Sequence, residues 1–100
     1  MFDVSSIKRR YFTVKIGDVV IDVEPPKIKV LKKITSLVGP NAKKEKLMDD
    51  LAGAVKLILN KNKAGSKIGD DIIDELDFDQ LEEILLAFFN WVAKERNSKN

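Results

Sequence analysis

One hundred residues carrying 18 Lys/Arg against 16 Asp/Glu, a net charge of +2, suit a single domain with one modest core. The chain has no cysteine and no histidine, which removes disulfides, thiolate metal sites, Ser-His and Cys-His pairs and the usual base near neutral pH. No apolar run approaches the roughly 20 residues that span a bilayer, and residues 1–6 lack the basic region that opens a signal peptide, so the expected location is the cytoplasm.

Residues 1–9 read as an N-terminal arm, and the basic run Lys8-Arg9-Arg10 crosses from it into the next segment. Residues 10–24 read as an antiparallel β-hairpin. Apolar and polar residues alternate on either side of Gly17-Asp18, a two-residue loop with glycine first that suits a type II′ turn. Across such a loop Ile16 faces Val19, Val14 faces Ile21 and Phe12 faces Val23, which puts six apolar side chains on one side. The opposite side pairs Lys15 with Val20, Thr13 with Asp22 and Tyr11 with Glu24. A one-residue slip would destroy this segregation. A hairpin alone is marginal in water, so the helices downstream must cover its apolar face.

Pro25-Pro26 ends the second strand and suits the first turn of a helix. Ile28, Leu31, Ile34 and Val38 form that helix's apolar stripe with Val30 and Leu37 alongside, Lys27, Lys29, Lys32 and Lys33 take the other positions, and Gly39-Pro40 ends it. Asn41 is a candidate cap for a second helix running to about Asn60, with Leu47, Met48, Leu51, Ala52, Val55, Ile58 and Leu59 at helical spacing. Its basic start, Lys43-Lys44-Glu45-Lys46, runs against the helix dipole. Residues 61–67 read as a polar, flexible loop open to proteolysis. Residues 69–75 suit a short helix, and Asp77 or Asp79 can cap the last one, each with Gln or Glu three residues on. Leu81, Ile84, Leu85, Phe88 and Val92 are its core stripe, and residues 94–100 read as a polar tail. The expected fold is therefore α+β: an N-terminal antiparallel β-hairpin packed against three to four α-helices in one domain, with residues 26–93 as the helical part.

Net charge conceals an asymmetry, +6 over residues 1–46 and −4 over residues 47–100. Opposed faces of this kind favour head-to-tail association of copies, and Lys29, Lys32 and Lys33 against Asp70, Asp71 and Asp74 are the candidate contacts. The acidic run at 70–83 lacks the spacing of an EF-hand loop, and several of its acids stand where helix starts want them, so it is read as structural. The basic stretches, Lys8-Arg9-Arg10 and the first helix, are the footprint a small DNA-binding regulator would use, although that helix has no arginine to read bases, and nucleic acid is the less favoured partner. The five glycines form neither a Rossmann nor a P-loop pattern. With no constellation for catalysis, metal or cofactor, the chain is expected to bind and not to be an enzyme. Leu86, Phe89 and Trp91, off the last helix's core stripe, are the candidate partner-binding residues.

The order of elements resembles the small tail assembly chaperones of long-tailed bacteriophages and prophages, particularly those of Gram-positive hosts. A hairpin with a Gly-Asp turn leads through Pro25-Pro26 to a Lys/Ile/Leu helix and a second amphipathic helix. A polar loop, an Asp-Asp-Ile-Ile-Asp-Glu-Leu turn and a closing Leu-Glu-Glu-Ile-Leu-Leu-Ala-Phe-Phe-Asn-Trp-Val helix follow, so that the likeness covers about residues 10 to 93. The resemblance implies a non-enzymatic role: binding the tape-measure protein, keeping that long helical chain soluble, and helping tail-tube subunits assemble around it. It also implies a homo-oligomer, and the short polar end after Val92 would suit the unextended product of a family in which a frameshifted, longer form is common. No family residue is catalytic, so no site carries over.

Overall fold

Two strands, β1 (Phe12–Ile16) and β2 (Val19–Val23), pair antiparallel in the expected register, with Phe12 opposite Val23, Val14 opposite Ile21 and Ile16 opposite Val19. Gly17 takes φ +59° while Asp18 stays negative, the dihedral pattern of a type II′ turn, whose twist matches that of the strands it joins. This is a computed structural model, and it describes residues 1–39 and 46–97. Four helices follow: α1 (Ile28–Val38), α2 (Leu47–Asn60), the single turn α3 (Asp70–Ile73) and α4 (Phe78–Asn97). The architecture is α+β, with α2 beneath β2 and α4 beneath β1. In the arm, Val4–Ser6 forms one 3-10 turn closed by Asp3. Hydrogen bonds from the Ser5 hydroxyl and N–H hold the Asp3 carboxyl below its ordinary range.

The core is the covered hairpin face together with the inner sides of α2 and α4. Val14, Ile21 and Val23 meet Leu51, Ala54, Val55, Ile58 and Leu59 of α2 and Leu81, Leu85 and Phe88 of α4, with Ile34, Ile68, Ile73 and Trp91 completing it. The helix starts follow the chain's own punctuation with two amendments. The prolines 25 and 26 lie ahead of α1, which begins at Ile28 with Lys27 at its cap position and no side-chain cap bond. Asn41, proposed as a cap for the second helix, lies outside the described residues, as do Lys43, Lys44 and Glu45. The described helix starts at Leu47 with Asp49 and Asp50 in its first turn, where the dipole favours acids. Of the two frames for the last helix, the Asp77 frame forms. The Gln80 N–H donates to Asp77 Oδ1 at 2.8 Å and the Asp77 N–H donates to Gln80 Oε1 at 2.9 Å, a reciprocal capping box. The helix then continues to Asn97, through much of the segment read as a polar tail.

Residues 61–67 depart from the sequence reading. Two asparagines stitch the segment down. Asn60 pairs with both main-chain groups of Ile68, at 3.0 and 2.8 Å. Asn62, the buried polar residue of the core, donates to the Leu59 and Ser66 carbonyls and accepts from the Ser66 N–H. The segment also lies along β2: the Glu24 N–H donates to the Lys61 carbonyl and the Lys63 N–H to the Asp22 carbonyl, each at 2.8 Å. A stretch that reads as free loop thus covers a sheet edge and delivers Ile68 to the core.

Two substitutions check these anchors by urea denaturation. Asn62→Ala leaves buried main-chain groups without partners and should cost ~1–3 kcal/mol. Asp77→Ala removes one half of the capping box and should cost ~1 kcal/mol.

Candidate protein-binding surfaces

The aromatics of α4 are not one patch. Trp91 is 9% exposed and belongs to the core. Its ring stacks on Phe12 at 5.6 Å and 25°, and lies 6.1 Å from Phe88. The Arg10 guanidinium closes over it 4.5 Å from the centroid while Nη1 donates to the Trp91 carbonyl at 3.0 Å. This corrects its assignment as a partner-binding residue. The physical reason is that α4 has neighbours on two sides, β1 and α2, so it needs apolar surface over a wide arc. Phe89 is half-buried and meets Phe88 edge-on at 5.3 Å. Leu86 alone of the three stands clear, at 58% exposed. At 100° per residue it lies about 160° round the helix from Phe88.

The most exposed large apolar side chains, Met1, Phe2, Val4 and Ile7, belong to the arm, and a half-covered apolar stripe lies along α1. This helix packs against α2 and no other element among the described residues. Only Ile34 is buried; Val30, Leu31, Leu37 and Val38 are half-buried, and Ile28, expected in the core stripe, is 66% exposed. An isolated helix of 11 residues is marginal in water, and Lys29, Lys32 and Lys33 add like-charge neighbours at i+3 and i+4. Between α1 and the end of α2 runs an apolar groove of about 300 Å³, lined by Pro26, Val30 and Leu57 with Lys27, Asn60 and Lys61 at its rim. At the other end of the helix pair Leu47 and Met48 are exposed. The sequence carried a signal for this: six apolar residues in 11 are more than contact with a single helix can bury.

The charged candidates are all exposed. Lys29, Lys32 and Lys33 lie on α1, and Asp70, Asp71 and Asp74 lie at α3, where Asp70 is bonded to Lys56 at 2.8 Å. No ion pair joins the two sets among the described residues. A second basic feature is an open cleft lined by Lys8, Arg9, Arg10, Lys27 and Lys61 around a single carboxylate, Glu24, which accepts from Arg9 at 2.7 Å and Lys61 at 3.3 Å. Among the described residues no three Asp or Glu are grouped to hold a metal ion, and no helix is long and apolar enough to cross a membrane.

These positions predict opposite outcomes for two α4 residues. Trp91→Ala should cost ~3–5 kcal/mol in urea denaturation, whereas Leu86→Ala should change stability by less than about 0.5 kcal/mol. No protein-family model, no curated protein and no solved structure matches this chain.

Proposed function

We propose that this protein is a non-enzymatic assembly chaperone that receives an amphipathic helix of a long helical client along α1 and the α1–α2 groove. The observation that carries the reading is a helix with six apolar residues, one buried, held by a single neighbour among the described residues. Such a surface is stabilised by a second helix laid into it, with apolar anchors at helical spacing. The exposed lysines of α1 favour a client whose flanks are acidic, and contact with it would relieve their mutual repulsion. In the resemblance set out above, the client is the tape-measure protein and the outcome is tail-tube assembly within the bacterial host cytoplasm.

A DNA-binding regulator is the second reading, favoured by the five bases around the Glu24 cleft. Its weakness is that Arg9 and Lys61 already pair with that carboxylate, and Arg10 is committed to the α4 main chain.

Co-expression with a tape-measure fragment from the same genome separates these readings. The fragment should stay soluble and co-purify with the wild type. Val30→Asp, with helix content checked by circular dichroism, should reduce recovery about tenfold, the effect of losing roughly 1.4 kcal/mol. Leu86→Asp should leave recovery unchanged. Loss with Leu86→Asp alone would move the site to α4. Retention on duplex DNA that falls steeply with salt, without client recovery, would favour the regulator.

A further inference from the structure

The hairpin has two edges, and the chain treats them differently. On β2, the Asp22 carbonyl and Glu24 N–H point away from β1 and are bonded to Lys63 and Lys61. Main-chain groups in an antiparallel ladder alternate between inward and outward. Thr13 lies opposite Asp22 and Lys15 opposite Val20, so these two residues turn their N–H and C=O groups outward from β1. No backbone bond from Thr13 or Lys15 to any other segment is present among the described residues. Of the devices that usually blunt an edge it has a short strand and one lysine, Lys15, but neither a bulge across its five pairs nor a proline.

We infer that the outer edge of β1 is an interaction surface for a second copy of this chain, the two β1 strands pairing antiparallel across a two-fold axis into a four-stranded sheet. The edge is complementary to itself. With Thr13 opposite Thr13 of the second copy, Tyr11 stands opposite Lys15, and Phe12 opposite Val14. The only charge on the strand therefore meets an aromatic ring and not its own kind. Tyr11 already attracts one ammonium in this way, Lys63 Nζ at 5.2 Å from its centroid. On the other face the row of Phe12, Val14 and Ile16 continues into the same row of the partner copy, so the apolar side stays unbroken. Below the edge a cleft lined by Val14, Ile16, Leu76 and Ile84, with Gln80 and Glu83 outermost, opens beside β1 where the second copy would close it. A five-residue edge is a small contact beside the roughly 1,200 Å² that stable interfaces bury, so a weak, exchanging pairing is expected. It uses neither α1 nor the groove assigned to the client, and it stands or falls apart from that reading.

Sedimentation velocity over a concentration series tests this inference. The wild type should show a monomer–dimer equilibrium that persists in high salt. Thr13→Pro removes an outward N–H and leaves the ladder to β2 intact, so it should weaken dimerisation by about tenfold or more while circular dichroism stays native. Because the chain has no cysteine, Thr13→Cys adds an independent readout. The Cα separation of about 5.5 Å expected at a two-fold hydrogen-bonded pair lies within disulfide range. A disulfide-linked dimer should therefore form in a glutathione buffer, faster than with Val20→Cys on the other strand. Three results would overturn the inference: a wild type monomeric throughout with equal cross-linking of both variants, a dimer that Thr13→Pro leaves intact, or one that dissolves in salt and so belongs to the charged faces.

Discussion

Everything in this fold depends on covering one face of a two-stranded hairpin that cannot stand in water by itself. The cover is supplied from two directions. Helix α2 lies under β2, where Val23 is fully buried, and α4 lies under β1, where Phe12 stacks on Trp91. Aromatic pairs of this geometry contribute ~0.5–1.5 kcal/mol beyond their buried area, and the Arg10 guanidinium over the indole adds ~0.5–2 kcal/mol. Arg10 also donates to the Trp91 carbonyl, so a single side chain fixes both the ring and the backbone of α4 to the start of the hairpin.

What could be read from the sequence is what is decided locally. The hairpin register follows from a two-residue turn and a period of two, and neither depends on the rest of the chain. Spacing also narrows the cap of α4 to two frames, at Asp77 or Asp79, and the structure selects the Asp77–Gln80 box. Trp91 was illegible for the opposite reason: whether an aromatic off the main stripe is core or surface depends on how many neighbours the helix has. Asn62 was illegible because its worth lies in the sheet edge beside it, which sequence spacing does not place there. Ile28 looked like core because it fits the period, but it sits at the helix start, where α2 gives it no cover.

The candidate surfaces divide along the same line. Apolar content shows at once that α1 is amphipathic, yet only the fold shows that, among the described residues, a single helix shields it. Lys29, Lys32 and Lys33 stand exposed beside the half-covered stripe, and under the proposed function they would favour a client with acidic flanks. Helices α2 and α4 hold the hairpin, and α1 is left with apolar surface that α2 does not cover.

The Arg10–Trp91 contact joins residues 81 positions apart, and this has a consequence for the order of events during synthesis. The hairpin leaves the ribosome well before α4, and its apolar face stays uncovered while α1, α2 and α3 are made. Local pairing in β1 and β2 can form early, but the cooperative core must await a closure spanning four-fifths of the chain, whose entropic cost precedes its reward. In the interval the nascent protein presents an open strand edge beside a bare apolar sheet, the kind of surface on which unfinished chains meet one another.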